Sequence, residues 1–110
     1  PLEHRKKIAL FCNVKMNAVI EAMDAKSIYE VPLLMQQEKL DEVVLERLGF
    51  EIGEAPSLEL WKKYLDTLYH PKGKVKIALV GKYVELHDSY KSIVESFIHA
   101  GVANDCIEFN

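Results

Sequence analysis

Glycine, proline, cysteine and tryptophan are scarce in this chain, at 5, 4, 2 and 1 of 110 residues. The Gly-x-x-x-x-Gly-Lys-Ser/Thr spacing of a phosphate loop is absent, and so is Gly-x-Gly-x-x-Gly. The two cysteines, Cys12 and Cys106, have no ligand-like spacing. Each lies in or beside an apolar run, so the expectation is a pair of buried free thiols in a reducing compartment. His4, His70, His87 and His99 show no metal-binding spacing. No apolar stretch approaches the ~20 residues of a membrane span, and no basic, apolar and cleavage-site leader pattern is present. A net charge of −3 offers no basic face of the kind that grips nucleic acid. What remains, 49% hydrophobic and 28% charged, is ordinary for a globular domain.

Two apolar runs dominate what is there. Ile8 to Val14 and Ile77 to Val80 each follow a basic lead-in, Lys6-Lys7 and Lys74-Val75-Lys76, and each ends in polar or glycine-containing chain. Runs without polar alternation are expected to be strands buried on both faces, as in parallel sheets. Ala18-Val19-Ile20 is a candidate edge strand, and Cys106 to Phe109 a third strand. The fold class expected is therefore α/β, with partial parallel sheets belonging to two α/β domains. The two runs are too far apart for one βα unit of ~30 residues. Open sheet edges would stay exposed in so short a chain, which points to a segment of a longer protein.

Helical signals fill the intervals. Asp24 is placed to cap a helix that Pro32 would occupy in its first turn and Leu33 to Glu38 would continue. Asp41 is placed to cap Glu42 to Leu48, with Gly49 as its C′ residue. Phe50 to Pro56 reads as a linker. Ser57 is placed to cap an amphipathic helix whose stripe is Trp61, Tyr64, Leu65 and Leu68 and which stops at His70-Pro71-Lys72-Gly73. Asp88 is placed to cap a last helix carrying Tyr90, Ile93, Val94, Phe97 and Ile98, with Gly101 as its stop.

Few of these residues carry chemistry by themselves. Lys7 is either a solvated strand start or a point charge for a phosphate or base carbonyl. Asp24 is either a cap or a carboxylate accepting from the amino group of a base, and one residue can do both. Gly81 after its run is a tight turn. Cys12 has no neighbouring histidine or helix start to activate it as a nucleophile.

In their order along the chain, Lys7-Ile8-Ala9-Leu10-Phe11-Cys12-Asn13-Val14, Ala18-Val19-Ile20, Ser27-Ile28-Tyr29-Glu30-Val31-Pro32 and Gly81-Lys82-Tyr83-Val84-Glu85-Leu86-His87-Asp88-Ser89-Tyr90-Lys91-Ser92 closely resemble the CTP synthase family. The resemblance implies a ligase that uses ATP and Mg2+ to activate UTP and ammonia from glutamine to form CTP. It implies the C-terminal end of a P-loop-like amidoligase domain in residues 1–49, and an interdomain linker with a helix in 50–73. Residues 74–110 would begin a class I glutamine amidotransferase domain. It further implies a cytoplasmic homotetrameric parent with no nucleic-acid or membrane partner. By motif position, Lys7 matches the lysine that contacts UTP or CTP, and Met23-Asp24-Ala25 the tripeptide beside the ATP adenine. Backbone recognition of adenine tolerates side-chain change, which matters because the family more often has a basic residue at the position of Met23 and valine at that of Ala25. Cys12 does not match the family's nucleophile, and the Mg2+ ligands and phosphate loop are expected outside this chain, so the segment alone is expected to be inactive.

Two other readings compete. A non-catalytic α/β linker or interaction module would need a closed core. A different strand-first α/β enzyme should show a phosphate loop or an acidic cluster at a strand end.

Overall fold

The computed structural model describes residues 2–106. Its helices are α1 (Leu2–Phe11), α2 (Val31–Gln37), α3 (Leu40–Leu48), α4 (Glu59–Tyr69) and α5 (His87–Ala103), with short 3-10 turns at Met16–Ala18 and Ile28–Glu30. The chain divides into two compact units between Ser57 and Leu58.

The expected parallel sheets are not there. Among the described residues the structure has no β-strand, and the one β-type pairing is an isolated parallel bridge between Gly73 and Cys106. Ile8 to Phe11 continues a helix that starts at Leu2. Cys12 N–H donates to Ile8 O at 2.8 Å and Val14 N–H to Ala9 O at 3.0 Å, and Asn13 turns the chain at φ 51°. The physical reason lies in where backbone groups find partners. A strand must borrow its hydrogen bonds from a neighbour, whereas a helix supplies its own. The residues before Ile8, Leu2-Glu3-His4-Arg5-Lys6-Lys7, are mostly good helix formers, so the run extends a helix already begun. Nor is the run buried: Ile8, Leu10 and Phe11 are exposed, Val14 is half-buried and only Ala9 is fully covered. Val19 is extended after its 3-10 turn, with no partner strand among the described residues. Ile77 to Val80 is exposed and irregular. Of the third expected strand only Cys106 is described, and the rest lies outside the described residues.

In the first unit α2 packs on α3, and the Met16–Ala18 turn packs against both α1 and α3. Ser27, not Asp24, is the cap: its hydroxyl accepts from Tyr29 N–H at 3.2 Å. Pro32 sits in the first turn of α2, where its missing N–H costs nothing. Helix α3 starts at Leu40, so Asp41 and Glu42 lie in its first turn, favourably placed against the helix dipole. Its end follows the sequence signal. Gly49 is left-handed at φ 74°, Gly49 N–H donates to Glu46 O at 3.2 Å and Phe50 N–H to Leu45 O at 3.0 Å, a Schellman closure.

In the second unit α4 packs on α5. The α4 stripe is the core: Leu65 is buried, and Trp61, Tyr64 and Leu68 are half-buried. Trp61 stacks on Tyr64 with ring centroids 5.6 Å apart, and Tyr64 meets His99 edge-on at 6.4 Å. Helix α4 begins at Glu59 without a side-chain cap, so Ser57 does not serve as one, and α5 begins at His87 with Asp88 in its first turn. Gly101 does not stop α5. It is buried within the helix, which runs to Ala103 and closes through Asp105 at φ 55°. There Asp105 joins the chain after α4: Lys72 Nζ pairs with its carboxylate, Lys72 N–H donates to Oδ1 at 3.3 Å, and Gly73 N–H donates to Asp105 O at 3.1 Å. Both cysteines are free. Cys12 is exposed rather than buried, and Cys106 is half-buried.

Candidate functional site

The first unit holds the residues singled out in the sequence. Lys7 lies on α1 rather than at a strand start, exposed, and no ion pair or side-chain hydrogen bond engages it among the described residues. Its neighbour Lys6 is occupied by Glu3 at 3.2 Å. Met23, Asp24 and Ala25 lie in an irregular stretch, with Met23 and Asp24 exposed and Ala25 half-buried. Among the described residues no hydrogen bond engages the backbone or side chains of these three. Such a stretch has N–H donors, C=O acceptors and a carboxylate open to a ligand edge.

Long-range contacts hold this open stretch in place. Arg5 Nη2 lies 3.0 Å from Glu21 Oε2 and 2.5 Å from Glu38 Oε2. The same Glu38 oxygen accepts from Glu21 N–H at 3.1 Å. On the far side of the tripeptide, Lys26 N–H donates to Glu30 Oε2 at 3.0 Å. Arg5 is held further above its ordinary range, chiefly by its hydrogen bond to Glu38 and then by that to Glu21. Glu38 is held below the usual carboxylate range, first by Arg5 and then by the Glu21 N–H. Near α3, Lys15 Nζ meets Glu46 at 2.8 Å and lowers that carboxyl as well.

The second unit contains a cleft of about 670 Å3. Ile77, Leu79, Val84 and Phe97 supply apolar wall, and His87 and Lys91 are among its polar lining. The Tyr90 hydroxyl closes one side by donating to Lys82 O. A Cβ on Gly81 would fall 2.4 Å from that hydroxyl, so the missing side chain at Gly81 is what admits Tyr90. Sequence reasoning had Tyr90, Val94 and Phe97 as a helix stripe but did not anticipate a cavity. A buried strand was expected at Ile77 to Val80, which left no room for one.

Among the described residues no group of three or more His, Cys, Asp or Glu is placed to hold a metal, and no helix is long and apolar enough to cross a membrane.

Residues 1–50 match the family model described as CTP synthase N-terminus. The chain is 60% identical to the CTP synthase of Cytophaga hutchinsonii over 106 residues, covering 96% of this chain and 20% of that enzyme. It is 54% identical to the CTP synthase of Bacteroides fragilis over 101 residues, covering 92% of this chain and 19% of the relative. It is also 54% identical to that of Geotalea uraniireducens over 107 residues, covering 96% and 20%. The chain thus spans about a fifth of the length of the curated relatives it matches.

Proposed function

The chain belongs to the CTP synthase family, and from that premise we propose that it serves in the ATP-dependent amination of UTP to CTP with glutamine as the nitrogen donor. The observation that carries this reading is the extent of the similarity. It runs at 60% identity over 96% of the chain, well past residue 50 where the family-model match ends. In this reading residues 1–49 end the amidoligase domain, 50–73 form the linker and 74–110 begin the glutamine amidotransferase domain. The unit boundary at Ser57 and Leu58 falls inside that linker.

Lys7 is the group that meets the pyrimidine nucleotide. An exposed ammonium without a partner among the described residues can place its three donors on phosphate or carbonyl oxygen at no cost to the fold. Met23, Asp24 and Ala25 meet the adenine of ATP. The base offers an amino donor and a ring-nitrogen acceptor, and an open stretch of backbone with a carboxylate supplies the complements. In this proposal Mg2+ is held by carboxylates elsewhere in a homotetrameric, cytoplasmic parent enzyme, as the family resemblance implies.

The test is product analysis. The full-length protein should form CTP only when UTP, ATP, Mg2+ and glutamine are all supplied. The 110 residues alone should neither hydrolyse glutamine nor make CTP, since they carry no matched nucleophile and no phosphate loop. Absence of CTP from the complete reaction, or glutaminase activity in the isolated chain, contradicts the proposal.

A further inference from the structure

We propose that Arg5 and Glu38 are positioning residues for the adenine-recognition stretch, acting through Glu21 to hold Met23 to Ala25 beside the helix that carries Lys7. This rests on the assignment of those residues to ATP and UTP made above.

Among the described residues the stretch makes no hydrogen bonds of its own from Met23 to Ala25, so its path is set by its two ends. One end is Glu21, fixed twice. Its carboxylate is 3.0 Å from Arg5 Nη2, and its N–H donates to Glu38 at 3.1 Å. The other end is Lys26, whose N–H is held by Glu30 at 3.0 Å. One Arg5 nitrogen and one Glu38 oxygen therefore join three parts of the first unit: α1, the start of the open stretch, and the turn after α2. Arg5 and Lys7 share α1, so the device also fixes where the open stretch lies relative to the helix that carries Lys7.

Recognition of a base edge by backbone N–H and C=O depends on placement, and misplacement of about 1 Å is enough to weaken it strongly. The side chains of Arg5, Glu21 and Glu38 remain 29%, 43% and 25% exposed. Solvent-accessible pairs of this kind add little to global stability. Their removal is therefore expected to appear in ATP recognition rather than in melting.

The test uses the full-length enzyme with Glu38→Gln, Arg5→Ala, the double variant and Arg5→Lys. CTP formation is followed with ATP, UTP and glutamine varied separately, beside a thermal melt. Glu38→Gln keeps an oxygen that can accept from Glu21 N–H and removes only the charge, so it is the mildest probe. The KM for ATP should rise about three- to tenfold in Glu38→Gln and Arg5→Ala, the scale of one lost contact. The kcat and the KM for glutamine should stay within about twofold of wild type. The double variant should be no worse than the more severe single one, because both act on the same device, and Arg5→Lys should recover part of the loss. An unchanged ATP KM, in an enzyme where Asp24→Ala does raise it, overturns the positioning role and leaves the site assignment standing. So do multiplicative losses in the double variant, or a general fall in kcat and melting temperature. If Asp24→Ala itself leaves the ATP KM unmoved, the site assignment fails and this proposal with it.

Discussion

Lys7→Ala separates a ligand contact from a structural one. The side chain is exposed on α1 and has no partner among the described residues. Its removal leaves no orphaned group and no cavity, and alanine is at least as good a helix former. Folding stability should therefore change by no more than about 0.5 kcal/mol. A charge-assisted contact to a nucleotide is worth about 1.5–3 kcal/mol, so the apparent affinity for UTP should fall about ten- to a hundredfold. Feedback by CTP should weaken with it, and glutamine hydrolysis should be spared. Asp24→Ala should instead raise the ATP requirement. Because Ser27 is the cap, Asp24→Ala carries no capping penalty, whereas Ser27→Ala should lose about 1 kcal/mol. The assay is steady-state CTP formation by the full-length enzyme with UTP and ATP varied separately, run beside a thermal melt of each variant. A Lys7→Ala enzyme that melts lower yet keeps its UTP KM refutes the reasoning, as does an Asp24→Ala enzyme that does the same with ATP.

The core of the second unit gives a second test. Leu65 is 6% exposed and Leu60, on the same helix, is 85% exposed. Leu65→Ala should destabilise by about 2 kcal/mol, the low end for a buried leucine because its half-covered neighbours can close in. Leu60→Ala should stay within about 0.5 kcal/mol, and equal shifts in the urea midpoint would contradict the packing. Acid titration gives a third. Glu38 and Asp105 are held below the ordinary carboxylate range, Glu38 chiefly by Arg5 and Asp105 chiefly by Lys72. A depressed folded-state value means that the unfolded chain binds more protons, so this stabilisation is present above about pH 4.5 and is lost as pH falls through the folded values. Urea midpoints from pH 7 to 3 should fall less steeply in Asp105→Asn than in the unsubstituted protein, and less steeply in high salt, whereas the solvent-accessible Glu38 pair should leave them nearly unchanged in Glu38→Gln. Parallel curves would contradict the pairing.

Local signals were legible and partner-dependent ones were not. Pro32 in a first turn, Gly49 at a left-handed helix end, Pro71 after a stop and the Trp61-Tyr64-Leu65-Leu68 stripe are all written within a few residues, and each stands where the sequence put it. Ile8 to Val14 and Ile77 to Val80 are short apolar runs, which periodicity alone cannot divide between helix and strand. Their state depends on whether another strand pairs with them, and none does among the described residues. Lys7 and Met23 to Ala25 are assigned to nucleotides through their motifs alone. The device beside them was not legible: Arg5 meets Glu21 and Glu38 across 16 and 33 residues, and no local pattern marks such a contact.

The most direct measurement of the central claim is an exchange. The matching stretch of the Cytophaga hutchinsonii CTP synthase, 60% identical over 106 residues, is replaced by this chain. CTP formation by the purified chimera is then assayed with UTP, ATP, Mg2+ and glutamine. A segment of a CTP synthase should sustain CTP formation within about tenfold of the host rate, a barrier change of about 1.4 kcal/mol. A chimera that assembles as the host does and hydrolyses glutamine, yet forms no CTP, would contradict the account.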